Sequence, residues 1–291
     1  MQHILAVLDR RHVDSVAFQA ALVWSKKTGA KLSVFLPADF SGPEGLELGP
    51  GLLATVEHTL QLQAERWLED FLSRESQAIG RHAVASAHWV EAVRHEVERL
   101  APDLMFIHRD SAPTASAWKK LLRQLPAPVC IVRDASPPVA ILAAVSAVPE
   151  DAAHQVLNDT VLNYATQWRE LWSATLTVAS ALPNPLDMAP LMGEAYVAAY
   201  VGEEMAQSLR AQLLKLLEKH QLPADVLASR TGMVESVLAQ TIDDCHANWV
   251  VMGTVGRHAL AAWFAGNSAE RIERRLPVNL LLLRPQDYQD H

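Results

Sequence analysis

Leu125-Pro-Ala-Pro-Val-Cys-Ile-Val-Arg133 returns later in the chain as Leu276-Pro-Val-Asn-Leu-Leu-Leu-Leu-Arg284, an offset of 151 (276 − 125). Working outward, Val90-Glu-Ala-Val93 returns as Val234-Glu-Ser-Val237, an offset of 144 (234 − 90). Ile4-Leu5-Ala6 returns as Ile141-Leu142-Ala143, an offset of 137 (141 − 4). The order is the same in both halves, so the 291 residues read as one unit written twice, with domains over 1–136 and 137–291. Ser136-Pro-Pro138 is the expected linker, because consecutive prolines stop regular structure and stiffen a connection.

Within each unit, short apolar runs alternate with helical patterns. The first half has runs at His3–Leu8, Lys31–Leu36, Val84–Trp89, Leu104–Ile107 and Val129–Val132. The second has Val139–Val145, Thr175–Ala181, Val226–Ser229, Trp249–Met252 and Asn279–Leu283. Runs this short and this apolar suit strands buried on both faces of a parallel sheet. Val56, Leu60, Trp67, Leu68 and Phe71 recur at helical spacing, as do Val201, Met205, Leu209, Leu213 and Leu216. Both stripes read as core. The spacing therefore predicts α/β architecture: two tandem doubly wound domains, each a mainly parallel five-stranded sheet flanked by helices. Ligands of such sheets sit beyond the carboxyl ends of the strands, at the switch point.

The offsets climb from 144 to 151 between the third and fifth strands, so the second repeat carries about seven extra residues there. That segment holds the glycines: Val250-Val-Met-Gly253-Thr-Val-Gly256-Arg-His-Ala-Leu-Ala-Ala-Trp-Phe-Ala-Gly266-Asn267-Ser268-Ala-Glu270. Glycine lets backbone turn tightly and approach a ligand closely. Amides at the first turn of a following helix suit a phosphate. Gly253, Thr254, Gly256, Arg257, Gly266, Asn267 and Ser268 are accordingly the candidate phosphate-binding residues. A structural turn followed by a helix cap explains the same spacing. Neither the P-loop nor the dinucleotide-binding fingerprint is present.

The G-x2-G-x9-G pattern closing an α/β unit of this length, then a last strand such as Asn279–Leu283, resembles the universal stress protein family. Phe35-Leu-Pro-Ala-Asp-Phe40, Gly253-Thr-Val-Gly256 and Gly266-Asn-Ser-Ala-Glu270 resemble its tandem members of the UspE type. The resemblance implies a cytoplasmic stress-response protein whose two flavodoxin- or HUP-like domains pair through their last strands as an intramolecular pseudo-dimer; whether two chains associate into a homodimer stays open. It also implies, for nucleotide-binding members, phosphates on the glycine motif and an Asp after strand one that meets the base. The implied ligand is ATP, ADP or AMP, with Mg2+ if ATP. Val145, Ser146, Ser180 and Met252 are then the base-contacting candidates in the second domain, and Asp9 is the candidate of the first. Two departures stand out. Ser146 occupies the acid's place in the second half, and Asn267 follows the third glycine where Ser or Thr is usual. The first half keeps Asp9, but its loop, Ile107-His-Arg-Asp-Ser-Ala-Pro113, is short and lacks glycine.

A net charge of −8 argues against a nucleic-acid scaffold, while a small anion held by backbone amides stays open. Cys130 and Cys245 are isolated and form no disulfide framework; they read as small buried side chains in a reducing compartment. The start, Met1–Asp9, does not read as a signal peptide, and Val139–Val148 is too short to span a membrane. The twelve histidines include no metal-site spacing; His82 and His88 read as surface or satisfied, and His108 with Arg109, after strand four where a ligand could meet them, as packing of the short loop or as a binding position. No nucleophile–base constellation is present and Asp243-Asp244 reads as a solvated face, so catalysis has no named residues, although a weak ATPase stays open. The Pro- and Met-rich segment Leu182–Val197, matched by Asp39–Leu53, reads as a loop over the core or as a lid on an apolar or amphiphilic ligand. The expectation is a non-catalytic binder of a small anionic ligand; an amphiphile binder and a partner-binding module with degenerate sites are the alternatives.

Overall fold

In the computed structural model the described residues are 1–11, 15–39, 50–76, 78–86, 88–124, 127–148, 152–183, 195–253 and 278–284. They fall into two compact units, Met1–Pro137 and Pro138–His291. The first unit contains β1 (His3–Val7), α1 (Val16–Thr28), β2 (Lys31–Asp39), α2 (Pro50–Leu72), β3 (Gly80–Ser86), α3 (Trp89–Leu100), β4 (Leu104–His108), α4 (Ala115–Arg123) and β5 (Val129–Val132). Its strands pair in parallel in the order β3-β2-β1-β4-β5. The second unit contains β6 (Ala140–Ala144), α5 (Ala152–Trp172), β7 (Thr175–Leu182), α6 (Ala195–Lys219), β8 (Leu227–Thr231), α7 (Val234–Cys245), β9 (Trp249–Gly253) and β10 (Asn279–Leu283). It repeats the arrangement as β8-β7-β6-β9-β10, again parallel throughout. Both units are the expected doubly wound α/β fold.

The apolar runs become strands because both faces are covered: Ile4 to Val7, Leu104 to Ile107 and Trp249 to Val251 are fully buried. Helix α1 shows how local signals set an element's ends. The Ser15 side chain accepts from the amide of Phe18 at its start, and Gly29 ends it in the left-handed region at φ 73°. The same staple closes both units. In the first, Asp103 Oδ2 accepts the amides of Gln2 (2.5 Å) and His3 (2.8 Å). In the second, Asn248 Oδ1 accepts those of Val139 (2.9 Å) and Ala140 (3.1 Å). The repeat is thus written in contacts as well as in letters.

The third strand of the first unit departs from the expectation of Val84–Trp89: β3 spans Gly80–Ser86. Trp89 instead opens α3, where it is buried with Val90, Val93 and Val97. Its apolar run belongs to a helix face, and a period of two and a period of 3.6 coincide over so few residues. β8 likewise spans Leu227–Thr231 and not Val226–Ser229. On α2, Leu68 is buried with Ala64 and Leu72, while Val56, Leu60, Trp67 and Phe71 are half-buried; Trp67 stacks on Phe71 with ring centroids 5.0 Å apart. On α6, Leu209, Leu213 and Leu217 are buried and Leu216 is only half-buried, so the inward stripe passes through Leu217.

Among the described residues Glu96, Asp159 and His3 are buried or half-buried ionisable groups with polar partners. Burial opposes ionisation of Glu96, yet hydrogen bonds from Arg99 (2.9 and 2.6 Å) and His82 (2.8 Å) hold its carboxyl below the usual range. Burial likewise opposes ionisation of Asp159, and Lys219 and His220 outweigh it. His3 donates from Nδ1 to the Leu100 carbonyl (3.3 Å) and accepts at Nε2 from Ser33 (2.9 Å). Burial lowers its pKa; Lys31 and Arg99 push the same way, against the Leu100 carbonyl and Asp103. His3 therefore stays neutral to lower pH in the fold than in the unfolded chain, which takes up its proton first, at about pH 6.5. Its contribution is present above that pH and lost as pH falls through the lowered value. Stability measured by urea midpoint should therefore decline below about pH 6.5, and His3→Gln should flatten that decline. An equal slope in the variant would show that another group carries it.

Candidate functional site

The strand orders put the switch point between β1 and β4 in the first unit and between β6 and β9 in the second. In the second unit, β6 and β9 run in register with Ala144 opposite Met252, and β9 with β10 with Gly253 opposite Leu283. Met252 and Gly253 therefore end β9 beside Val145 and Ser146, which follow β6, and Ser180 lies on the neighbouring β7. Each of these groups already has a protein partner. Ser180, 1% exposed, donates its hydroxyl to the Val145 carbonyl (3.0 Å), and the Val145 amide donates to the Ala179 carbonyl (3.0 Å). Asn158 on α5 grips Ser146 on both sides: its Oδ1 accepts the Ser146 amide and its Nδ2 donates to the Ser146 carbonyl, both at 2.9 Å. The Ser146 hydroxyl donates to the Val148 carbonyl (3.0 Å). Asn158 escaped the sequence reading, since nothing in a helix stripe marks one polar residue as the clamp of a distant turn.

Gly253 has a packing reason to be glycine. A Cβ built there would lie 2.1 Å from Leu157 Cδ2 and 2.4 Å from its Cγ. The first turns of α5 lie so close to the end of β9 that a side chain has no space. Thr254, Gly256, Arg257, Gly266, Asn267 and Ser268 lie outside the described residues.

In the first unit, Asp9 follows β1 with a side chain only 11% exposed. It carries Arg11, whose amide donates to Asp9 Oδ1 (2.9 Å) and whose guanidinium reaches both oxygens: Nε to Oδ1 (3.0 Å) and Oδ2 (2.8 Å), Nη2 to Oδ2 (2.5 Å). The same Nη2 donates to the carbonyls of Asp110 (2.8 Å) and Ser111 (3.2 Å) in the loop after β4. The Asp110 amide donates to His108 Nδ1 (3.3 Å), and Arg109 Nε lies 3.9 Å from Asp110 Oδ1. His108 and Arg109 thus shape the short loop. Arg11 was also missed; the i, i+2 Asp-x-Arg at a strand end was its one local signal.

Other candidates resolve simply. His82 is satisfied by Glu96, His88 is exposed at the start of α3, and Asp244 pairs with Arg230 on the surface (2.6 Å) beside exposed Asp243. Cys130 is fully buried and burial drives its thiol pKa up; Cys245 is only half-buried, because it ends α7 where the helix meets solvent. Among the described residues no three His, Cys, Asp or Glu side chains form a metal cluster, and no helix is long and apolar enough to cross a membrane. A groove of about 600 Å3 runs along the first unit past Phe18, Leu22, Trp67, Phe71 and Arg74. It shares no residue with either strand-end site.

Residues 141–284 match the model of the Universal stress protein family. Universal stress protein E of Salmonella typhi is 28% identical, aligned over 99% of this chain and 96% of that protein. The Escherichia coli K12 protein of the same name is 26% identical over 99% of this chain and 95% of its own. A solved structure of a functionally unknown Pseudomonas aeruginosa PAO1 protein has the same fold, with a TM-score of 0.68 at 21% identity over 99% of this chain and 94% of that one. A doubled parallel α/β unit, a family match over its second copy and relatives aligned along nearly its whole length converge: the chain belongs to the universal stress protein family, as a tandem member similar to universal stress protein E.

Proposed function

We propose that this stress-family protein is a non-catalytic binder of a small anionic ligand at the carboxyl ends of β6 and β9, an adenine nucleotide being the first candidate. The observation that carries the reading is the place of Gly253. It ends β9 at the switch point of the second unit, and the chain runs from there into Thr254, Gly256, Arg257, Gly266, Asn267 and Ser268. Glycines and a helix start are what backbone amides need in order to surround a phosphate. The base side is less specific. Ser146 brings no carboxylate, and Val145 and Ser180 are already bonded to each other. The phosphate is therefore the recognised group, with Mg2+ accompanying it if the ligand is ATP. Stress response is the role the family name attaches to the chain, and cytoplasmic residence is part of the same proposal.

Native mass spectrometry of gently purified protein, followed by release and identification of what is bound, tests this directly. Gly266→Val should then weaken binding of added ATP by at least about tenfold, the loss of one or more charge-assisted hydrogen bonds. Hydrogen exchange in β6 and β9 should stay unchanged. Unchanged affinity in that variant would remove the phosphate assignment. A second reading rests on apolar exposure at the same end of the unit: Val148 after β6 is 49% exposed, and Met233 and Val234 after β8 are 71% and 42% exposed. Such exposure favours an amphiphilic ligand. A released lipid-like molecule would select it, and an empty protein with no response to ATP would select the partner-binding module.

A further inference from the structure

We propose that the switch-point crevice of the first unit is a guanidinium site, filled in cis by the side chain of Arg11. The inference is independent of any ligand in the second unit. Four oxygens face Arg11 there: both carboxylate oxygens of Asp9 and the carbonyls of Asp110 and Ser111, at 2.5 to 3.2 Å from its nitrogens. All are acceptors, and they come from the two chain segments that leave β1 and β4, the neighbours between which the strand order reverses. A guanidinium has donors in a planar fork and no acceptor, so it complements this set, whereas an ammonium is a point donor that serves fewer oxygens at once. An anion would meet a carboxylate and two carbonyl dipoles and would be repelled.

Among the described residues the second unit shows no counterpart. Ser146 stands in the place of Asp9, and Gly253 ends β9 where His108 ends β4. Arg11 is 57% exposed, so it is held by the fork and not by burial. It straps the loop over residues 108–111 to the end of β1. The surrounding charges are mixed: Arg10 is exposed beside it, and Arg109 lies against the Asp110 carboxylate.

The test is chemical rescue on the whole chain. Arg11→Ala should raise hydrogen exchange at the amides of 109–111 by about tenfold or more, the opening expected from losing charge-assisted hydrogen bonds. Methylguanidinium, below denaturing concentration, should restore slow exchange in Arg11→Ala. It should do nothing in Arg11→Ala combined with Asp9→Ala, and methylammonium should not substitute for it. Wild-type exchange in Arg11→Ala, absence of rescue, or rescue that survives loss of Asp9 would each overturn the assignment. Should Arg11→Ala fail to fold, Arg11→Lys carries the test, because it keeps the charge and loses the fork. Exchange at 109–111 should rise in that variant, and wild-type exchange there would overturn the proposal.

Discussion

Gly253→Ala is expected to destabilise the second unit by about 1–3 kcal/mol, the range for forcing atoms into a packed core. The new Cβ would lie 2.1, 2.4 and 2.9 Å from Leu157 Cδ2, Cγ and Cδ1. Leu157 is only 5% exposed and cannot swing into solvent without taking α5 off the sheet. Leu157→Ala removes the opposing atoms at the cost of a cavity, itself about 2–5 kcal/mol. The informative variant is the pair. Gly253→Ala with Leu157→Ala should be more stable than the sum of the two single changes by about 1–3 kcal/mol, the coupling of residues in direct contact. Denaturation midpoints, with hydrogen exchange at β6 and β9 to localise the loss, decide it. Strict additivity would mean that the glycine is there for another reason. The folded double variant also separates packing from binding. If the wild type binds added ATP, as proposed, and the double variant binds it equally, the backbone at 253 contributes no close ligand approach. If it folds and no longer binds, the glycine serves both.

Trp249→Ala should cost more, about 3–5 kcal/mol. The side chain is wholly buried at the start of β9, and its backbone is in register with Ile141 on β6 and Asn279 on β10. Its indole meets Trp168 of α5 edge to face, with centroids 5.2 Å apart and planes at 82°, an arrangement worth about 0.5–1.5 kcal/mol beyond area burial. No small side chain fills that volume, and α5 would have to settle towards the sheet. Trp249→Phe should keep most of the packing and lose a minor part of the stability. Two units need not unfold together, so exchange protection in β6 and β9 is the measurement, not a single midpoint. Protection unchanged in Trp249→Ala would show that this pair is not the anchor of the second unit.

The two variants mark how far the chain could be read before its contacts were known. Trp249 stood at the head of an apolar run, and burial at that position followed from the pattern. Gly253 was visible too, as the first of three spaced glycines, yet spacing alone could not tell a ligand's approach from a leucine's. Leu157 lies 96 residues earlier (253 − 157), in a helix whose stripe carries no mark of what it faces. The Val84–Trp89 run shows a different limit. Six residues hold too little periodicity to separate a strand from the first turn of α3, and only the burial of Trp89 together with Val93 and Val97 on α3 settled which it was.

The sequence by itself determined the doubling, the parallel α/β class and nearly every strand, because these follow from local periodicity and from a repeat copied in order; the family came from the resemblance carried by the glycine motif. Tertiary structure alone decided what stands at the two strand-end crevices. Arg11 meets the carbonyls of Asp110 and Ser111 across about a hundred residues of chain. Asn158 turns back to clamp Ser146, and Leu157 fills the space beside Gly253. Those contacts depend on how far a helix is set along its sheet and which rotamer faces a strand end. Distances of this kind are fixed by packing the whole unit, and no periodicity in the chain encodes them.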